Sequence, residues 1–232
     1  AVLAKAPAPG RVKTRLCPPL TPAQAAELAR AALLDTIEAC SASTAREVVV
    51  VLDGSPRPWM PAGIRVIAQR QGDLGNRLLG AVEDLDGRCL VVGMDTPQLT
   101  ADLIDDALRA LDGERCDAVL GPALDGGYWA IGLRRADPRA FDGVPMSQPD
   151  TGRHQRAALD RLGLRVRTLR TLRDVDDHAD AVAVAAEAPT TRFARALAEL
   201  GRPIEPRRDG VLYSVSDNGH RVAEVIRSRS SG

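Results

Sequence analysis

Short apolar runs recur along this chain, and each stops at a loop of Gly, Pro, Asp or basic residues: Val2-Leu3-Ala4, Glu47 to Leu52, Ile64 to Ile67, Cys89 to Val92, Asp117 to Leu120, Tyr128 to Leu133 and Leu164 to Leu169. Continuous apolar runs of this length read as strands buried on both faces, the condition of a parallel sheet covered by helices. The segments between them have helical spacing. Thr21-Pro22 supplies an N-cap and a first-turn Pro for the stretch ending near Cys40, and Thr100 caps one carrying Leu103, Ile104, Ala107, Leu108 and Leu111. Such alternation predicts βαβ units with right-handed crossovers, hence a three-layer α/β/α fold around a mostly parallel mixed sheet. Aromatics make up only 3% of residues while apolar residues make up 44%, so Ala, Val, Leu and Ile must form the core. An all-β sandwich fits that composition poorly.

The pattern holds over residues 1–200 and then changes. Beyond Gly201 the chain turns to Arg, Pro, Asp and Ser, and Val211 to Ser216 and Arg221 to Ile226 flank Asp217-Asn218-Gly219-His220. Asn-Gly between two such runs signals a hairpin. The expected organisation is a ligand-binding domain over 1–200, with an accessory hairpin and a disordered Arg/Ser end over 201–232. Basic and acidic residues both number 31, which gives no electrostatic case for nucleic acid as partner. No stretch approaches the roughly 20 apolar residues of a membrane span. The four cysteines lack Cys-x-x-Cys spacing, so no zinc site is expected. No signal peptide is visible, and the expected location is cytoplasmic.

In open α/β sheets, ligands bind outside the carboxyl ends of the strands. The loop after the first run places Lys5, Gly10, Arg11, Lys13, Thr14 and Arg15 within thirteen residues from Ala4 to Leu16. Backbone N–H groups and cations in such a loop suit phosphate oxygens. It is neither a Walker A loop nor G-x-G-x-x-G. The bland alternative is a solvated basic turn; on the phosphate reading, Lys13 and Arg15 should be exposed and unpaired without ligand. Gly93-Met94-Asp95-Thr96-Pro97 sets a carboxylate at the tip of a central strand, a hard-oxygen ligand for Mg²⁺ or Mn²⁺. Asp174-Val175-Asp176-Asp177 offers a second carboxylate from across the cleft, although Asp177 also suits a helix cap. Asp125-Gly126-Gly127-Tyr128-Trp129 joins an acid to two glycines, which let a backbone approach a ligand, and two rings able to stack.

At these loops the sequence resembles a bacterial family of GT-A-fold proteins described as glycosyltransferases, including arsenosugar-biosynthesis types. The segments that carry it are Ala4 to Leu16, Gln71 to Leu78, Gly93 to Leu99, Gly121 to Trp129 and Asp174-Val175-Asp176. More distantly, the first and third resemble guanylyltransferases that make the molybdenum-cofactor dinucleotide and the phospholactate-derived deazaflavin precursor. The resemblance implies the nucleotide-diphospho-sugar transferase architecture. It implies catalytic roles for Lys13, Arg15 and Asp95, and nucleotide contacts from Ala4, Lys5, Gly10, Lys13, Thr14, Arg15, Asp53, Gly72, Asp73, Leu74 and Arg77. Asp53 and Asp73 would lie near base or ribose, Asp95 and Asp176 would hold metal, and Asp125, Gly126, Gly127 and Tyr128 would meet the acceptor. Where the family shows a Trp-Ser-Thr-like segment, this chain has Met146-Ser147-Gln148.

The function expected is a metal-dependent transferase carrying a sugar from a nucleotide-activated donor to a small-molecule acceptor. Two alternatives stand beside it. One is a nucleotidyltransferase joining a nucleoside triphosphate to a phosphorylated acceptor, with Lys13 and Arg15 stabilising departing pyrophosphate. The other, favoured only by the departure at Met146, is a nucleotide-binding module without catalysis.

Overall fold

The computed structural model describes residues 1–56, 59–85 and 87–200, together with the backbone of 212–215 and 221–224. The strands are β1 (Val2–Lys5), β2 (Val49–Asp53), β3 (Arg65–Ala68), β4 (Cys89–Gly93), β5 (Ala118–Pro122), β6 (Tyr128–Leu133) and β7 (Val166–Thr168). The helices are α1 (Pro22–Ala42), α2 (Leu74–Asp84), α3 (Ala101–Asp112), α4 (Thr151–Arg161), α5 (His178–Glu187) and α6 (Arg192–Leu200). Two further strands, β8 (Leu212–Val215) and β9 (Arg221–Glu224), pair antiparallel with each other. Internal contacts divide the chain into units Ala1–Leu200 and Gly201–Gly232. The expected turn at Asp217 to His220 and the Arg/Ser end lie outside the described residues.

Local chemistry starts and stops the helices as the sequence implies. A reciprocal capping box opens α1: the Thr21 hydroxyl accepts from the Gln24 N–H, and the Gln24 carbonyl accepts from the Thr21 N–H at 2.8 Å. Thr100 caps α3 through the Leu103 N–H. Asp177 caps α5. Asp174 to Asp176 therefore lie outside the helix, ahead of its cap. β7 is also shorter than the run Leu164 to Leu169, and α6 was not foreseen.

The strand order is β3-β2-β1-β4-β6-β5-β7, and only β6 runs against the rest. Val2 sits between Val50 and Val92, so the first strand is central. Successive β2 residues point to opposite faces. Val50 and Leu52 pack with Val2, Val92, Leu33, Ile104 and Leu111 beneath α1 and α3, while Val51 packs with Val91, Leu120, Ile131, Leu78 and Leu159 beneath α2 and α4. The result is the expected three-layer α/β/α mixed sheet. Outside α1, α5 and α6 add a further layer through Val184 and Phe193 against Leu28 and Ala32. Buried Asp35 of α1 holds α6 in place, accepting from the Arg192 and Phe193 N–H groups at 3.0 and 2.8 Å. No described helix is long and apolar enough to cross a membrane.

The order also fixes where ligand can sit. From β1 the chain winds outward through β2 and β3, then returns to place β4 on the other flank. The C-terminal ends of β1 and β4 thus form a switch point, and their following loops splay apart there.

Candidate active site

The basic loop leaves β1 at Lys5 and is shaped by two left-handed residues, Gly10 at φ +73° and Lys13 at φ +50°. Positive φ is uncommon for a residue with a side chain and marks a backbone held by its surroundings. Leu16, fully buried, anchors the short 3-10 turn that follows. Lys13 is folded inward with its side chain 10% exposed; its Nζ lies 2.7 Å from Asp95 Oδ1 and donates to the Val175 carbonyl. Arg15 reaches Asp176 Oδ2 at 3.0 Å, although its own side chain is 76% exposed. The expectation that both cations stand free without ligand is therefore corrected. The same sheet edge that collects the basic loop collects carboxylates, and the two satisfy each other.

The acidic wall is built by a backbone bond: the Val175 N–H donates to the Asp95 carbonyl at 2.9 Å, laying residues 174–176 against the end of β4. Carboxylate oxygens of Asp125, Asp174 and Asp176 all lie within 4.8 Å of one another. Sequence reasoning had paired Asp176 with Asp95; the structure groups it with Asp174 and with Asp125 from the loop expected to hold acceptor. Asp95 instead faces Lys13. Hard oxygen donors grouped in this way could hold a divalent cation.

Burial, reinforced by Asp125 and Asp176, pushes the Asp174 carboxyl up to about 6. An unfolded Asp titrates near 4, roughly, so the folded state holds the extra proton between the two values. The stability this group supplies is full below pH ~4 and is lost as pH rises through ~6, leaving an ionised Asp174 opposing the fold at pH 8. Asp174→Asn should therefore stabilise the metal-free protein at pH 8 by about 1–2 kcal/mol, discounted for partial solvent screening. It should also flatten the rise in stability that wild type shows from pH 7 to 5. Urea unfolding of both proteins across that range is the check; parallel curves would deny the burial effect.

Between the basic loop and the acidic wall lies a cavity of about 440 Å³. Of the residues expected to meet nucleotide, Ala4, Lys5, Lys13, Thr14, Arg15, Leu74 and Arg77 line it, as do Asp95, Asp176 and Tyr128. Gly10, Asp53, Gly72, Asp73, Asp125, Gly126 and Gly127 are not among its lining residues. Asp73 is the N-cap of α2, its Oδ1 accepting from the Asn76 N–H at 2.9 Å. Asp53 meets Arg77 at 3.2 Å, and Arg77 also donates to the Gly72 carbonyl, which places both as supports of the cavity wall. Tyr128 gives its proton to Gln155 at 3.2 Å, and burial raises its pKa. Trp129 is core, with its indole N–H on the Arg170 carbonyl at 2.9 Å. Arg11 of the basic loop also lines the cavity, and Gln69 and Met94 do so without a role assigned from sequence. For Gln69 the available signal was its place as the polar residue directly after β3.

Known proteins bear on this geometry. A structure from Desulfovibrio desulfuricans, described as a nucleotide-diphospho-sugar transferase, superimposes with TM-score 0.77 at 28% identity, covering 85% of this chain and 93% of that one. A CMP:2-keto-3-deoxy-manno-octonic acid synthetase complexed with CTP matches with TM-score 0.54 at 14% identity, covering 80% of this chain and 96% of that one. A 2-C-methyl-D-erythritol 4-phosphate cytidylyltransferase from Thermus thermophilus gives 0.52 at 18% identity, covering 82% and 98%. At such identities the last two speak for the fold alone. No curated protein matches the chain in sequence. A family model with the description "Uncharacterized protein conserved in bacteria (DUF2064)" matches residues 24–148.

Proposed function

Since the chain belongs to that DUF2064 family, and the family model spans more than half of its length, we propose that it is a cation-dependent transferase acting on a nucleotide-activated donor, with a nucleotide diphospho-sugar as that donor. The observation that carries this reading is the cavity at the β1/β4 switch point, walled on one side by Lys5, Arg11, Lys13 and Arg15 and on the other by Asp95 and Asp176. The name of the Desulfovibrio structure supports the donor class.

In this reading, Lys13 and Arg15 exchange their carboxylate partners for phosphate oxygens when donor arrives. Asp95 and Asp176, so released, would hold Mg²⁺ or Mn²⁺, with Asp125 and Asp174 beside them. A cation bound there would supply neutralisation of the charge that builds on the departing nucleoside diphosphate. Lys13, held by its buried stem, keeps the phosphate chain in one orientation, and positioning of this kind is a large part of catalysis. Arg77 and Gln69, braced by Asp53 and by strand carbonyls, form the wall on the nucleoside side.

A second reading is nucleotidyl transfer, favoured by four cations on one loop, more than a diphosphate needs and well suited to departing pyrophosphate. Calorimetric titration of nucleotide sugars and nucleoside triphosphates, each with and without Mn²⁺, tests both. Nucleotide binding that strengthens sharply with cation is the expected result, and a nucleotide sugar that binds and releases nucleoside diphosphate selects the first reading. Triphosphate turnover to pyrophosphate selects the second. Binding of neither class would sink the proposal.

A further inference from the structure

Part of the cavity has no charge at all. Leu3, Val91 and Ile131 form its floor on one face of the sheet, and Leu74, Leu78 and Tyr128 roof it from α2 and the start of β6. Val91 and Ile131 are direct partners across β4 and β6, and Leu3 is in register with Gly93 on the same face. A Cβ built on Gly93 would have nothing nearer than 4.0 Å, so the missing side chain leaves the mouth of this slot open toward Asp95.

The donors of the two polar side chains on the slot's own walls, Tyr128 and Gln69, are already engaged. The Tyr128 hydroxyl donates to Gln155 Oε1 at 3.2 Å, and Gln155 in turn donates to the Ala140 carbonyl at 2.6 Å. Both N–H bonds of the Gln69 amide are directed at strand carbonyls, those of Ala4 at 2.7 Å and Val51 at 3.0 Å. A sugar ring or other polyol placed here would find no free donor on these walls for its hydroxyls, a costly arrangement. A hydrocarbon or aryl group faces no such penalty, and its burial is favourable in proportion to its area.

We propose that the acceptor of the transfer is an alcohol with an aliphatic or aromatic body, seated in this slot with its hydroxyl at the mouth beside the charged walls. This rests on the transferase reading above and supplies the acceptor's chemical class. It replaces the Asp125-Gly126-Gly127 loop as the principal acceptor contact, since that loop does not line the cavity.

The test is a saturation-transfer NMR titration of the ligand-free protein with straight-chain alcohols from butanol to octanol, benzyl alcohol, glycerol and sorbitol. Each added methylene should tighten binding by about fourfold, benzyl alcohol should bind, and the polyols should not. Leu3→Thr puts a hydroxyl on the floor while keeping a strand-forming residue, and should weaken octanol binding by about tenfold; Leu3→Met should restore most of it. Equal binding of polyols, or no dependence on chain length in the unmodified protein, overturns the proposal. So does displacement of octanol by a nucleotide, which would show that the base occupies the slot. Failure of the nucleotide titrations with the chain-length series intact would instead remove the transferase reading and leave an apolar-ligand site.

Discussion

Lys13→Met should unfold with a free energy lower than wild type by about 1–3 kcal/mol, the range for a partly buried charged hydrogen bond that loses its donor. It should also lose nucleotide affinity by a hundredfold or more. Both effects trace to one atom. In the free protein the Lys13 ammonium joins the basic loop to the Asp95 carboxylate and the Val175 carbonyl, linking segments that follow β1, β4 and β7. Arg15→Ala makes the contrast. Its guanidinium is mostly in solvent, and exposed ion pairs contribute little, so stability should change by less than about 0.5 kcal/mol while nucleotide affinity still falls. Chemical denaturation and calorimetry on both variants decide the matter. Equal destabilisation would show that the two cations are structural equivalents.

Gly126→Ala should cost about 3 kcal/mol or more, combining left-handed backbone strain with overlap that the surroundings cannot relieve. Gly126 sits at φ +88°, and a Cβ there would lie 1.8 Å from the Pro149 carbonyl oxygen. Its own carbonyl accepts from the Gly152 N–H at 2.8 Å, docking the loop on the first turn of α4. Relief of the overlap must push this loop away, and Asp125 leaves the acidic cluster with it. Cation-dependent nucleotide binding should therefore weaken even at temperatures where the variant is folded. Gly10→Ala is the control: at φ +73° it carries similar backbone strain, but nothing lies within 4 Å of the added Cβ. It should cost only about 1–2 kcal/mol. Similar losses at the two sites would assign the whole effect to backbone strain.

The layers of this fold were legible because apolar runs and helix caps are local signals. Thr21, Gln24 and Thr100 act on their own neighbours, and Val50 and Val51 reveal opposite faces by alternation alone. α6 was missed although Phe193, Leu197 and Leu200 form an apolar stripe, because the preceding Pro189-Thr190-Thr191 reads as a loop and the helix is held by Asp35, far away in sequence. The site was legible as a set of loops and illegible as a set of pairs. Strand-end position announces that Lys13, Asp95 and Asp176 share one edge of the sheet. Which carboxylate meets which cation depends on the bond from Val175 to Asp95, and on an Asp125 loop folded back by Gly126. Neither leaves a mark in spacing. Asp73 shows the opposite case: an Asp just ahead of a helix is a cap by local chemistry, legible without any distant partner.

The reversed direction of β6 has a consequence for how such a protein can diversify. Because β5 runs out to the ligand edge and β6 runs straight back, residues 123–127 form a hairpin turn, joined at both ends to neighbouring strands and carrying no crossover helix. Such a turn can take up an insertion without re-threading the chain, on one condition: Asp125 must keep its place beside Asp174 and Asp176, and Gly126 its bond to the start of α4.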